Sequence, residues 1–263
     1  MDNSELLEFA KGIALKAGEI LLKYFEAEEL NSEVKADYSF VSEADMESDS
    51  FIRNAIHEKY PDHGIVSEEN PDKKGNEYEW VIDPLDGTNN FVRGDPVFAV
   101  SMGVRHNGKG IIGVVYAPFF KKLYFASEGS GAYVEHEGKT KRLRVSDESM
   151  RLPCLVVDSH TDKKRVEKCQ KIIREFFKTV PHLGRKMLHC CSIELCMIAE
   201  GGMDYGFHND PKPWDIAAGD VIVREAGGKF TYVPVRGQER PAAVSSNGIH
   251  HEKMVEIVKK HMA

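Results

Sequence analysis

The segment Trp80-Val81-Ile82-Asp83-Pro84-Leu85-Asp86-Gly87-Thr88-Asn89-Asn90-Phe91 joins an apolar run to a turn that carries two carboxylates. The apolar run predicts a buried strand. Pro84 predicts that this strand ends at Asp83, because proline favours extended geometry in the residue before it and cannot donate to a ladder. Gly87 lets the chain turn, so the amides of Gly87 and Thr88 are expected to point outward at a helix start. The segment therefore predicts two carboxylates beside main-chain donors.

Carboxylates beside amide donors would repel an anion unless a divalent cation lay between them. Mg²⁺ takes carboxylate and carbonyl oxygens, and this turn offers Asp83, Asp86 and the Leu85 carbonyl. Further ligands must come from other parts of the chain, and the candidates are Glu68-Glu69 and Asp215. Each also has an ordinary interpretation, because D-P-x-D-G is a common turn, a glutamate pair is usually solvated and Asp215 could simply cap a helix. Spacing alone leaves open whether these groups meet.

The composition is typical of a folded globular chain. Its 263 residues are 41% apolar and 29% charged, enough for one large domain or two compact halves. Lys and Arg total 35 against 42 Asp and Glu, so the net charge of −7 argues against a nucleic-acid polymer as partner. The apolar stretch Ile111–Phe120 is much shorter than the ~20 residues of a membrane helix, so no membrane span is expected.

The chain start and the cysteines bear on location. The first residues are acidic and lack a basic region, which predicts neither a signal peptide nor a transit peptide, and hence a cytoplasmic protein. The five cysteines contain no C-x-x-C pair, which argues against a disulfide framework or a structural zinc site. We therefore expect reduced cysteines.

Periodicity predicts a layered α/β or α+β fold. A polar connector separates a long amphipathic helix capped by Ser4 from a second helix near Glu43–Glu58. A series of strands follows the second helix, and Asn107-Gly108 indicates a hairpin between two of them. The connector, residues 28–42, is a candidate flap with Lys35 as a candidate flap residue. The predicted strands of the first half are Gly64–Ser67, Trp80–Asp83, Val97–Arg105, Gly110–Tyr116 and Lys122–Ala126.

Helices and strands alternate after about residue 150. The predicted elements are strand Cys154–Asp158, helices Asp162–Lys178 and Cys191–Glu200, strand Asp204–Phe207, helix Asp215–Ala226, strands Gly228–Val233 and Ala242–Ser245, and helix His250–His261. An antiparallel sheet in residues 1–148 and an alternating half in residues 149–263 predict two sheets sandwiched by helices, with the active site at their junction.

Taken together, these motifs closely resemble the inositol monophosphatase family, whose members are lithium-sensitive, magnesium-dependent phosphatases. The likeness covers nearly the whole chain in order and implies an alternating α-β-α-β-α sandwich of the sugar-phosphatase type. It is carried by Trp80–Phe91, Glu68-Glu69, Trp214-Asp215, Gly219-Asp220 and Glu225-Ala226-Gly227-Gly228.

The resemblance implies a site with two or three Mg²⁺ ions. Glu68, Asp83 and the Leu85 carbonyl would hold the first ion, and Asp83, Asp86 and Asp215 the second. Asp45 would pair with Thr88 to orient the attacking water, so the catalytic residues would be Glu68, Thr88 and Asp45. The amides of Gly87 and Thr88 would receive the phosphate, in agreement with the helix start predicted above.

The same resemblance implies hydrolysis of a small sugar or polyol phosphate, such as inositol 1-phosphate, by water that the cations activate. A family glutamate that contacts the polyol corresponds here to His208. Cys191, Asp86 and Asp215 are also expected near the substrate. Arg185 and Lys186 could bind a second phosphate, as in fructose 1,6-bisphosphate.

Two alternatives remain open from the sequence. A nucleotidase acting on 3′(2′),5′-bisphosphate nucleotides would share the metal motifs, and a catalytically silent regulator would bind metal and phosphate without turnover. The presence of all the motif carboxylates and of Thr88 argues against silence. The resemblance also implies a homodimer, and we expect neither a membrane nor a nucleic-acid polymer as partner.

Overall fold

A computed structural model of the protein describes residues 2–27, 32–34, 40–147, 153–157 and 163–262. The helices are α1 Asn3–Phe25, α2 Glu43–Lys59, α3 Thr88–Phe91, α4 Lys163–Thr179, α5 Cys191–Ala199, α6 Pro213–Glu225 and α7 His251–Met262. The strands are β1 Ser32–Val34, β2 Phe40–Ser42, β3 Gly64–Ser67, β4 Tyr78–Asp86, β5 Ala99–His106, β6 Lys109–Ala117, β7 Lys122–Ser127, β8 Gly131–His136, β9 Lys139–Arg142, β10 Cys154–Val157, β11 Gly184–Lys186, β12 Tyr205–His208, β13 Lys229–Val233 and β14 Ala242–Ser246.

Two mixed sheets and three helical layers alternate. The first sheet has the order β3-β4-β5-β6-β7-β8-β9, and the second has the order β11-β10-β12-β14-β13. Helices α1 and α2 pack on the outer face of the first sheet, α5 and α6 lie between the sheets, and α4 and α7 cover the second sheet. The predicted α-β-α-β-α sandwich is therefore confirmed.

The helical and hairpin signals correspond to real elements. Apolar residues of α1 recur every three or four positions, and those buried are Leu6, Ala10, Ile13, Ala14, Ala17 and Leu21. Asn107 and Gly108 have φ angles of 50° and 78°, the left-handed geometry that a tight hairpin between β5 and β6 requires. The predicted hairpin is thus confirmed.

Helix α6 packs unusually close to the first sheet. An added Cβ at Gly113 of β6 would lie 2.2 Å from the Ala218 carbonyl oxygen of α6. Because only glycine permits this approach, the sheet fixes the position of α6, whose first turn carries Asp215.

Several boundary predictions were wrong for local reasons. Asp2, not Ser4, caps α1, because its carboxylate accepts a hydrogen bond from the Ser4 amide. Strand β3 pairs with β4 in parallel, so the first sheet is mixed. Strands β8 and β9 were not predicted, and the residues of β9, which are all exposed and mostly charged, lack the alternating pattern of a strand with one buried face.

Three further expectations concern the connector, a membrane span and the division of the chain. In the connector, β1 and β2 form an antiparallel pair, while Lys35 lies outside the described residues. No helix among the described residues is long and apolar enough to cross a membrane. The chain division near residue 148 stays a prediction.

Candidate active site

Strand β4 carries Asp83 into the interior. The prediction that the strand ends at Asp83 was wrong, because the ladder resumes at Asp86 after an irregularity. Asp83 pairs with Ser101 and Asp86 with Ala99, so β4 has one more residue in this interval than its partner strand. Such a bulge accommodates Pro84 and redirects the neighbouring side chains. Asp83 is only 2% exposed.

The other predicted carboxylates lie close enough to Asp83 in the folded chain to interact electrostatically with it. Burial raises the pKa of Asp83 well above its ordinary value, and four neighbouring acidic side chains raise it further. These four are Glu68, Asp86, Asp215 and Asp45. Each influence disfavours the charged carboxylate, and such concentrated negative charge suits a cation. The structure thus brings together acidic groups that are far apart in sequence.

The carboxylate of Asp86 lies against the first turn of α5. Its Oδ2 atom accepts hydrogen bonds from the Ser192 amide at 2.6 Å, the Ser192 hydroxyl at 2.5 Å and the Cys190 thiol at 3.2 Å. Its Oδ1 atom accepts one from the Cys191 amide at 3.3 Å. Burial raises the pKa of Asp86, while the hydrogen bonds from Ser192 and Cys190 oppose that rise. A helix N-terminus therefore holds this side chain in place.

The turn after Asp86 has the predicted helix start. Gly87 caps α3 with a φ of 89°, and Thr88 is the first helical residue. The Thr88 hydroxyl lies 2.9 Å from the Leu85 carbonyl oxygen and 3.3 Å from Asp45 Oδ1. Asp45 is fully buried on α2. The pairing of Thr88 with Asp45 implied by the resemblance is therefore present.

The turn that carries Glu68 is fixed by a side chain of α2. Asp49, which is fully buried, accepts hydrogen bonds from the Ser67 hydroxyl and from the Asn70 side-chain amide, the latter at 2.5 Å. These donors lie on either side of Glu68-Glu69. Asp49 thus holds both ends of the turn, and Glu68 itself remains partly exposed.

Asp215 was expected to cap α6, and this position was wrong. The helix begins at Pro213, so Lys212 is the cap residue and Asp215 is the third helical residue. Asp215 Oδ2 accepts a hydrogen bond from the Lys212 amide at 2.6 Å, one half of a capping box. Pro213 extends the helix because proline is well suited to the first helical position.

The predicted substrate-contacting residues fall into different environments. His208 is fully buried, and its Nε2 atom lies 3.0 Å from Glu194 Oε2, so its side chain offers no surface to a ligand. Cys191 is partly exposed beside Asp86. Arg185 and Lys186 are exposed on the edge strand β11.

The acidic cluster is chemically suited to a hard divalent cation. Carboxylate and carbonyl oxygens are the ligands that Mg²⁺ prefers, and the Leu85 carbonyl keeps one lone pair beyond its bond with Thr88. Within the described part of the chain, no group of three or more His, Cys, Asp and Glu side chains is arranged so that it could hold a metal ion. Oxygens of Asp86 and Asp215 instead accept amide hydrogen bonds in this structure. The donor set fits the cation, and the side chains are held near one another.

Three supporting residues were missed by the sequence reasoning. Asp49 had a usable signal, because it lies with Asp45 and Ser48 on the face of α2 that buries Ile52. A polar residue on the apolar face of a helix indicates a buried polar group that needs a hydrogen-bond partner. Ser192 and Glu194 gave no comparable signal, because their partners are remote in sequence.

The chain is similar to known proteins over almost its whole length. The model of the inositol monophosphatase family matches residues 2–263. A protein of Aquifex aeolicus named fructose-1,6-bisphosphatase/inositol-1-monophosphatase is 38% identical, over 100% of this chain and 98% of its own length. A putative Nus factor SuhB of Neisseria meningitidis is 37% identical, with 83% of each chain covered.

Solved structures support the same relationship. An inositol monophosphatase of Thermotoga maritima is 31% identical, superposes with a TM-score of 0.82 and covers 98% of each chain. The match to the family model spans almost every residue, including all the carboxylates described above. The chain therefore belongs to the inositol monophosphatase family.

Proposed function

We propose that this chain is a Mg²⁺-dependent phosphomonoesterase that hydrolyses a small sugar or polyol phosphate. The observation that carries the proposal is the convergence of Glu68, Asp86 and Asp215 on the buried carboxylate of Asp83. Family members are generally Mg²⁺-dependent, and relatives are named for inositol monophosphatase and fructose-1,6-bisphosphatase activities. Inositol 1-phosphate and fructose 1,6-bisphosphate are therefore the first substrates to test.

The proposed Mg²⁺ ligands form two sets, one for each of two ions. Glu68, Asp83 and the Leu85 carbonyl would hold one, and Asp83 with Asp86 and Asp215 another, giving two or three ions in all. When bound, the ions would lower the pKa of water and stabilise charge on the leaving oxygen. Asp83 is central to both sets, and its burial leaves it little contact with competing solvent.

Thr88 is proposed to orient the attacking water. Its hydroxyl hydrogen is directed at the Leu85 carbonyl or at Asp45, so the lone pairs of Oγ1 can accept a hydrogen from water. Asp45, being buried, limits the positions that the hydroxyl can adopt. Such alignment for an in-line displacement supplies much of the catalysis in phosphoryl transfer.

The remaining contacts are assigned by chemistry. The amides of Gly87 and Thr88 are proposed to bind the phosphate, and Cys191 to lie beside the alcohol part of the substrate. Arg185 and Lys186 are proposed for a second phosphate. Because Asp86 and Ser192 are hydrogen-bonded, the site is proposed to lie where residues 1–148 and 149–263 meet.

The experiment measures phosphate release from inositol 1-phosphate, fructose 1,6-bisphosphate and 3′-phosphoadenosine 5′-phosphate, each with and without Mg²⁺. We expect Mg²⁺-dependent release from at least one of the first two. Asp83→Asn should reduce it ~1,000-fold, since losing a shared cation ligand removes several kcal/mol of transition-state stabilisation. Glu175→Gln, which changes an ion pair between α4 and Lys260 of α7, is the matched control and should retain activity.

The other outcomes separate the alternatives. Release from 3′-phosphoadenosine 5′-phosphate alone would support the nucleotidase, and Mg²⁺ binding without release from any ester would support the silent regulator. The cytoplasmic location and the homodimer are further proposals, to be tested by cell fractionation and light scattering.

A further inference from the structure

The two oxygens of the Asp86 carboxylate differ sharply in their surroundings. Oδ2 receives three donors, two of them from Ser192, whereas Oδ1 receives one described donor at 3.3 Å. A carboxylate oxygen offers about two lone-pair sites. Oδ2 is therefore saturated, and Oδ1 keeps acceptor capacity for another ligand.

Neither the backbone nor the side-chain torsions of Asp86 would by themselves direct Oδ2 rather than Oδ1 toward these donors. The terminal torsion of an aspartate is broad, so the carboxylate rotates at little cost unless donors hold it. The Ser192 amide is supplied by α5 whatever the side chain at that position. The Ser192 hydroxyl, in contrast, is a second short donor that only serine or threonine brings, and Ser192 is fully buried, so solvent does not readily replace it.

We propose that Ser192 is a positioning residue whose hydroxyl fixes the Asp86 carboxylate, leaving Oδ1 as the oxygen that serves a divalent cation. The inference rests on the proposed function, because Asp86 is one of its cation ligands. Side chains that orient metal ligands typically contribute 10–100-fold to metal affinity. Ser192 thus acts through Asp86 rather than on the substrate.

Hydrogen bonds hold the segment just before Ser192 in position. Glu194 Oε1 accepts a hydrogen bond from the Leu188 amide at 2.9 Å, which ties α5 to the chain just before it. The Asn90 side chain donates to the Leu188 carbonyl at 2.7 Å, which ties the same segment to α3. These hydrogen bonds therefore restrict the movement of the turn from which Ser192 donates to Asp86.

The test is calorimetric titration of Mg²⁺ into the whole protein without substrate. Ser192→Ala should weaken Mg²⁺ binding about tenfold, while Ser192→Thr, which restores the hydroxyl, should stay within about threefold of the wild type. Ser246→Ala is the matched control, because it removes a buried serine hydroxyl that binds His251 instead. Its Mg²⁺ affinity should be unchanged.

Kinetics separate positioning from a merely structural effect. In Ser192→Ala, the Mg²⁺ concentration for half-maximal phosphate release should rise about tenfold, while the maximal rate at saturating Mg²⁺ changes much less. Loss of fold stability alone would not shift that midpoint.

The inference is overturned if folded Ser192→Ala binds Mg²⁺ as tightly as the wild type. If that variant does not fold, Ser192→Cys decides, because a thiol is a weaker donor and should give reduced affinity; wild-type affinity there would overturn the inference. Failure of the wild type to bind Mg²⁺ would instead refute the proposed function.

Discussion

The side-chain amide of Asn70 donates to Oδ2 of the buried Asp49 carboxylate across 2.5 Å, which ties the turn carrying Glu68 to helix α2. Ser67 donates to the other carboxylate oxygen from the opposite side of Glu68. A helix of the outer layer thereby sets the position of a proposed cation ligand on the first sheet.

Replacing Asp49 tests this arrangement. Asp49→Ala should lower the free energy of unfolding by about 1–3 kcal/mol, because it leaves the buried Ser67 hydroxyl and the half-buried Asn70 amide without their acceptor. It should also weaken Mg²⁺ binding about tenfold by loosening the Glu68 turn. Urea unfolding and calorimetry measure the two effects, with the exposed Glu58→Gln on the same helix as control. Unchanged Mg²⁺ affinity in a folded Asp49→Ala variant would argue against the link.

Gly87 offers a test of close packing at the site. Its φ of 89° disfavours any side chain, and an added Cβ would lie 2.8 Å from the Val97 carbonyl oxygen. Gly94 has a φ of 75° with nothing near its Cβ position, so Gly94→Ala pays the backbone cost alone. We expect Gly87→Ala to lose more unfolding free energy than Gly94→Ala and to lose most phosphatase activity. Equal losses in the two variants would show that the close approach has no effect.

His63 predicts a pH dependence of stability. Burial lowers the pKa of His63 below its ordinary value of 6.5, and the Trp80 indole donates to His63 Nδ1 at 3.0 Å. The unfolded chain therefore binds a proton at His63 more readily than the folded chain does. The stabilisation of the fold by neutral His63 is complete above pH 6.5 and is lost as the pH falls through the folded pKa. Urea unfolding between pH 8 and 5 should show stability decreasing below about pH 6.5.

The variant His63→Gln isolates that contribution. It removes the titrating ring, so its stability should decline less steeply over the same pH range than that of the wild type. The exposed His182→Gln serves as control and should follow the wild type. An identical pH slope in His63→Gln and the wild type would contradict the assignment.

His208 tests a role that the sequence suggested and the buried geometry disfavours. Glu194 contacts His208 and the Leu188 amide, so Glu194→Ala should cost about 1–3 kcal/mol of unfolding free energy. His208→Gln should likewise reduce stability while leaving the KM for inositol 1-phosphate within about twofold, because a buried ring makes no substrate contact. A large rise in KM with unchanged stability would restore the substrate role of His208.

The sequence was sufficient for the layers, because they depend on local signals, while the acidic residues were named as candidates from turn motifs and from the family resemblance, and their role stays a prediction. The alternating pattern of the strands, the helical periodicity and the Asn107-Gly108 hairpin can all be predicted from residues that are close in sequence. Strand β9 was missed because an edge strand can be fully exposed and mostly charged. Pro84 was misread because a bulge tolerates a proline that a regular ladder would not.

The supporting contacts were beyond sequence reasoning for a physical reason. The partners Asp86 and Ser192 are brought together by the packing of α5 against the end of β4, and no local pattern encodes that distance. The same holds for His208, where alignment by resemblance suggested a substrate contact and the fold supplied Glu194 as a buried partner. Ligand types can be inferred from residues, whereas their supports require tertiary structure.

The central claim is that separate acidic residues bind divalent cations at one place. Its most direct test is anomalous diffraction from crystals of the protein soaked in Mn²⁺, a cation with oxygen preferences close to those of Mg²⁺. The account predicts anomalous peaks bonded to Asp83, with Glu68, Asp86 and Asp215 among the other ligands. Absence of a peak at Asp83 from well-diffracting soaked crystals, or peaks confined to other parts of the surface, would contradict it.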